Sequence, residues 1–181
     1  MRKFIQRSLA YSSACAALFV FWSVTAVAAP PELQTPAPVI YLADNLDEKD
    51  RLGWCIDTLG RGFSEDIQAH SCKPQGGDVQ FSLDTDTGQL KSVAFDGKCV
   101  IKKETPNETV PFGLVDCAVD EPAQKFAYHQ ETMELRPSED ETLCVVVGES
   151  SRSAGPFMSR SLVLAACAKT EVELKQWIIK Q

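Results

Sequence analysis

The chain has 181 residues, 44% of them hydrophobic and 24% charged, with a formal net charge of −7 and a pI of about 4.9. That size and apolar content suffice for one domain with its own core. The acidic balance argues against nucleic acid, anionic membranes and heparin-like polyanions as partners.

Residues 1–28 read as a signal peptide. Arg2, Lys3 and Arg7 give a basic start, Ala14–Val24 is an apolar run too short to span a bilayer comfortably, and Ala26-Val27-Ala28 is a small-residue cleavage site. Cys15 is lost with this segment. Cleavage after Ala28 leaves 15 basic residues against 25 acidic ones, a formal net charge of −10. Export makes the chain secreted or periplasmic, with no membrane insertion after cleavage, in an oxidising space where disulfides persist. Residues 29–38 contain Pro30 to Pro38 (PPELQTPAP) and read as a short extended tether. Residues 39–181 are the expected folded domain.

Three similar units follow in chain order. The first carries Cys55 and Cys72, 17 apart; the second Cys99 and Cys117, 18 apart; the third Cys144 and Cys167, 23 apart. The leading cysteines recur after 44 and then 45 residues, a period that marks a fold built from repeated units. Nine residues before each stands a leucine, Leu46, Leu90 or Leu135. After each trailing cysteine comes an aromatic, Phe81, Phe126 or Trp177, read as core, with Leu83, Tyr128 or Ile179 two residues beyond. Ahead of each trailing cysteine, apolar side chains alternate at the strand period: Ile67 and Ala69, Phe112 and Leu114, Leu162 and Leu164. Glycine-rich turn signals separate the short segments, and no long helical period appears.

Six mature cysteines read as three bridges. The repeat selects the self-closed set Cys55–Cys72, Cys99–Cys117 and Cys144–Cys167, each worth about 3 kcal/mol in the chain-entropy model. The predicted fold is therefore all-β, with three pseudo-equivalent units and one intra-unit disulfide each. A closed barrel lets the units bury apolar faces that each would expose alone. There is no Cys-x-x-Cys, and His70 and His129 lie far apart, so no metal site or cofactor is expected. Asp84-Thr85-Asp86-Thr87-Gly88 starts like a calcium loop, but its twelfth position is Phe95 rather than an acid, so it reads as a turn. Asn107-Glu108-Thr109 is a glycosylation acceptor in an exposed loop, if the host glycosylates.

From Leu46 to Gln181 the chain resembles the ricin B-type lectin family, a β-trefoil whose units carry a Gln-x-Trp signature. The features that carry the resemblance are Gly53-Trp54-Cys55-Ile56-Asp57, Gly97-Lys98-Cys99-Val100, the junction Gly88-Gln89-Leu90, and the aromatic after each trailing cysteine. The second unit keeps glutamine two residues before its aromatic (Gln124, Phe126); the first has Val79 and the third Lys175. The resemblance implies sugar sites made from three places per unit. These are an aspartate two residues after the leading cysteine, an aromatic two before the trailing cysteine, and a polar residue three before the signature aromatic. Such a set suits a sugar, which offers hydroxyls to oxygen acceptors and a C–H face to a flat ring. In the first unit these places hold Asp57, His70 and Asp78; in the second, Ile101, Val115 and Ala123; in the third, Val146, Ala165 and Leu174. The implied carbohydrate-binding residues are thus Asp57, His70 and Asp78, one degenerate site with affinity on the order of millimolar without multivalency.

The expected function is an exported, non-catalytic, lectin-like protein that binds a glycan or glycoconjugate weakly. No serine or cysteine has a recognisable histidine partner, so no catalytic residue is assigned. The competing reading is a protein-binding β-trefoil, such as an envelope interaction partner, a toxin-complex subunit or a protease inhibitor. It rests on the long third-unit loop Gly148 to Arg160 (GESSRSAGPFMSR), which concentrates Arg152, Arg160, Phe157 and Met158 on an acidic protein.

Overall fold

The computed structural model describes residues 30–60, 62–74, 76–104 and 110–181. The signal segment 1–28 and the acceptor Asn107 lie outside the described residues. The first unit contributes β1 (Val39–Leu42), β2 (Trp54–Thr58), β3 (Ile67–Ser71) and β4 (Phe81–Asp84). The second contributes β5 (Gln89–Ser92), β6 (Lys98–Lys102), β7 (Phe112–Asp116) and β8 (Phe126–His129). The third contributes β9 (Glu134–Pro137), β10 (Leu143–Val147), β11 (Arg152–Ala154), β12 (Phe157–Arg160), β13 (Leu162–Ala166) and β14 (Trp177–Lys180).

Two kinds of antiparallel pairing repeat three times. Within units, β2 pairs with β3, β6 with β7 and β10 with β13. Between units, β4 pairs with β5, β8 with β9, and β14 with β1. The last pair joins the end of the domain to its beginning, so the three units close into a ring without free terminal units. Each cross-unit pair places two apolar residues opposite each other: Leu83 and Leu90, Tyr128 and Leu135, Ile179 and Ile40. Phe81, Phe126 and Trp177 lie buried in the shared core, and the Trp177 Nε1–H donates to the Val145 carbonyl at 2.8 Å. The bridges are Cys55–Cys72, Cys99–Cys117 and Cys144–Cys167, each inside its own unit, with Cα separations of 5.1, 4.9 and 5.1 Å.

One residue of the sequence repeat is displaced. Tyr41 stands opposite Cys55 as Lys91 stands opposite Cys99, so Ile40, not Leu46, is the first unit's counterpart of Leu90 and Leu135. Ile40 is fully buried, whereas Leu46 has a φ of 52° in the connection after β1 and is only half-buried. The cause is a longer connection before β2 in this unit. It keeps the spacing to the cysteine while moving the leucine off the strand.

The proline-rich segment read as a tether lies against the first unit. Its backbone bonds to Arg51 and Cys72, the Thr35 hydroxyl donates to the Lys73 carbonyl at 2.8 Å, and Leu33 packs by the Cys55–Cys72 bridge.

The long third-unit loop is a β-hairpin. β11 pairs with β12, and β12 pairs with β3 of the first unit through Ser159 opposite His70 and Arg160 opposite Ala69. The hairpin thus extends the first unit's sheet, in the order β11-β12-β3-β2-β1-β14. Arg160 clamps it there. Its guanidinium lies 4.6 Å from the Trp54 ring centre, donates to the Gly148 and Glu149 carbonyls, and approaches Glu48 at 3.7 Å. Ser71 adds a second tie, accepting from the Met158 amide at 2.9 Å while its hydroxyl approaches Asp50.

Candidate functional site

β2 and β3 bring Asp57 and His70 close, because Cys55 stands opposite His70 and Asp57 opposite Gln68. Asp78 reaches the same region from the 3-10 turn Gly77–Val79 that follows the disulfide. The strand period puts Asp57 on the face of Cys55, Gln68 and His70, opposite the core residues Trp54 and Ile56. It is nevertheless 0% exposed, with neither carboxylate oxygen in a hydrogen bond. Its neighbours are the Lys73 ammonium at 3.7 Å and His70 Nδ1 at 4.0 Å. Burial pushes the Asp57 carboxyl up to about 7; Lys73 opposes this and Asp78 adds to it. The Thr58 amide and the Gln68 side chain lower it a little without reaching hydrogen-bond geometry. Burial also lowers His70 below the usual histidine range, so its imidazole is neutral at pH 7, with Nδ1 3.0 Å from the Ser71 carbonyl oxygen.

Lys73 links the two acids. Its ammonium donates to Asp78 Oδ2 at 3.2 Å and faces Asp57 on its other side. Asp78 Oδ1 is buried and has no hydrogen-bond partner. A buried acceptor without a donor is costly unless something supplies one.

His70, Lys73 and Asp78 border an open cavity of about 640 Å³. Leu59, Gly60, Gly62, Gln68, His70, Lys73, Gly76 and Asp78 form its first-unit wall. The facing wall is the third-unit hairpin from Arg152 to Phe157, with Ser159. The Phe157 ring meets His70 edge-on at 5.9 Å. Asp57 does not line the cavity; it lies beneath it, screened by Lys73 and His70. The volume falls in the range of small-ligand pockets, and the lining mixes flat apolar groups with fixed polar ones.

Of the three residues singled out in the sequence, His70 and Asp78 reach the cavity and Asp57 supports its floor. Lys73 and Gln68 were missed, and Arg152 was read only as part of a protein-contact loop. Lys73 follows the trailing cysteine directly, and Gln68 has Asp57 as its strand partner, so hairpin register would have found both. Arg152 arrives from a unit roughly eighty residues away, and its local sequence carries no sign of that destination. The equivalent places in the other units hold Ile101, Val115, Ala123, Val146, Ala165 and Leu174, none of which offers a side-chain hydrogen bond. Glu134, Cys144 and Cys167 approach one another, but both cysteines are bridged and Glu134 is held by Arg136 and Lys175. That cluster is not a metal site.

The model of the ricin-type β-trefoil lectin domain matches residues 46–180. The chain belongs to that family. Membership makes it an all-β carbohydrate-binding domain of a family that is generally non-catalytic. No curated protein matches the chain. Among solved structures, the cytolethal distending toxin of Haemophilus ducreyi aligns with a TM-score of 0.52 at 14% identity, covering 86% of this chain and 88% of that one. That likeness shows the fold. The toxin of Actinobacillus actinomycetemcomitans gives 0.49 at 14% identity, covering 80% of this chain and 91% of that one. GalNAc-T7, solved with UDP, GalNAc and Mn2+, gives 0.49 at 15% identity over 83% of this chain. This lectin-family chain spans 23% of that chain's length. Among the described residues, no helix is long and apolar enough to cross a membrane. Three disulfides in the structure favour an oxidising, extracellular environment.

Proposed function

We propose that this protein is an exported, non-catalytic glycan-binding protein with one sugar site, in the cavity of the first unit. The observation that carries the reading is Asp78. Asp78 lines a cavity of about 640 Å³ and is held by Lys73, in the one unit with polar side chains at the family's three sugar-contacting places. A sugar hydroxyl donates to Asp78, and the Lys73 ammonium offers a donor to a neighbouring hydroxyl oxygen. Phe157, packed edge-on against His70, offers apolar surface to ring C–H groups. Asp57 acts through Lys73, whose ammonium it holds from below. One mixed polar site gives weak binding, on the order of millimolar, unless several copies engage one surface.

A glycan array followed by titration with the strongest ligand tests this. Wild type should bind, and Asp78→Ala should lose at least about tenfold, the cost of one charge-assisted hydrogen bond. Identical titrations of wild type and Asp78→Ala would remove the site assignment.

The exposed tip of the hairpin, Ser153, Gly155 and Pro156, favours a second reading in which this segment contacts a protein partner. Pull-down from envelope fractions, with the tip residues replaced, separates the readings. A partner lost with the tip while no glycan binds supports protein recognition.

A further inference from the structure

The third-unit hairpin brings charge to the first-unit cavity. Two cations border the cavity among its described lining residues. Lys73 is already countered by Asp57 and Asp78. Arg152 is different: among the described residues it has no carboxylate within salt-bridge distance. Its one hydrogen bond runs from Nη2 to Gln68 Oε1 at 2.9 Å. Gln68 is 5% exposed and fixed in turn, its amide donating to the Thr58 carbonyl at 3.3 Å. The guanidinium is therefore aimed by a rigid neutral partner, and its remaining N–H groups stay free at the cavity mouth. An arginine with open donors matches a carboxylate in two parallel bonds, which a lysine cannot do. The cavity is also lined by Asp78, a carboxylate able to accept from a hydroxyl. One ligand class meets both needs: a carboxylate for Arg152 and a hydroxyl for Asp78, carried on one ring.

Resting on the sugar reading above, we infer that the ligand is a carboxylated sugar, a uronic or sialic acid at an exposed position of a glycan. Arg152 takes its carboxylate and Asp78 one of its hydroxyls. Specificity would then come from two units: the first holds the ring, and the insertion in the third selects the charge. The acidic surface elsewhere disfavours long polyanionic chains, so a single acidic residue within a glycan is the ligand that fits both the local guanidinium and the overall charge.

Paired probes test this on the full mature protein: galactose against galacturonic acid, glucose against glucuronic acid, lactose against sialyllactose, and lactose against sulfated lactose. Wild type should bind at least one carboxylated member about tenfold more tightly than its neutral partner, with the advantage shrinking as salt is added. Arg152→Gln should bring that ratio close to one, and Arg152→Lys should restore part of it. Both substitutions fall on an exposed strand, and unchanged melting temperatures would show that the fold is retained. Equal binding of neutral and acidic partners by wild type overturns this inference and leaves the sugar reading standing. So does a carboxylate preference that survives Arg152→Gln, or a stronger preference for the sulfated form. Failure of every sugar to bind overturns both.

Discussion

Asp57 shows how far an identical residue type can differ in role once burial is known. From sequence it is a sugar-contacting aspartate; in the fold it is a fully enclosed carboxyl 3.7 Å from one ammonium. Desolvation disfavours its charged form and raises it from 3.8 to about 7. The folded state then holds a proton that the unfolded state has already lost between those values. The group's contribution is fully present below the unfolded pKa and fades as pH rises through about 7. A shift of this size is worth at most on the order of 4 kcal/mol. His70 acts in the opposite sense. Its lowered pKa means its contribution is lost as pH falls below the usual histidine range. Asp57→Asn isolates the carboxyl: the variant should gain stability on wild type at pH 8 and lose that advantage by pH 4. Urea unfolding of both proteins across this range reads the difference, and parallel curves would show that Asp57 does not titrate late. Sequence grouped Asp57, His70 and Asp78 in one unit, but a residue pattern does not say which of three clustered side chains faces water.

At the level of strands and turns, the loss of the Gln-x-Trp glutamine has a chemical explanation. Register aligns Val39, Gln89 and Glu134 at the start of β1, β5 and β9. The residues two before the three core aromatics are Val79, Gln124 and Lys175. In the second unit the two amides bond each other at 2.9 Å, and Gln124 also donates to the Asp116 carbonyl and accepts from the Ala118 amide, bracketing Cys117. In the third unit the same pair is ionic. Lys175 lies 3.0 Å from Glu134 and donates to the Cys167 carbonyl at 2.5 Å. Burial would raise Glu134, but Arg136, Lys175 and Thr132 together hold it down to about 2. In the first unit the pair is apolar, Val39 and Val79 packing in one cluster with Cys55 and Cys72. Amide with amide, acid with base, and valine with valine all leave a buried position matched; a mixed pair would not. Glu134→Gln should cost about 2–4 kcal/mol, because Lys175 is left buried without its counter-charge; Lys175→Gln should cost less, because Glu134 keeps Arg136. The double variant copies the second unit and should recover most of that loss. Denaturation of all four proteins gives the coupling, and strictly additive losses would refute the matched-pair explanation. Single positions in the sequence look like decay because the compensating residue lies about forty positions away.

For the whole molecule, closure through β14 and β1 makes the three units one cooperative body. Trp177 is the hinge of that closure, fully buried, opposite Leu42, and bonded to Val145. Trp177→Ala should cost about 3–5 kcal/mol and leave a single unfolding transition. Two separated transitions by circular dichroism would mean that the units fold independently, against the ring. The repeat period, the self-closed cysteine pairs, the core aromatics and the all-β class were all legible in the chain itself. Each depends on neighbours within about twenty residues or on a spacing that repeats, and both survive in a one-dimensional record. The sequence by itself also determined that sugar-type polar groups occur in one unit. Only the tertiary structure decided that Asp57 lies beneath the cavity, that Ile40 replaces Leu46, and that the third-unit loop becomes a wall of that cavity. Those outcomes come from register and from strand pairing across long sequence separations. They are settled by which backbone edges and apolar faces meet when the ring closes, a property no local stretch of the chain contains.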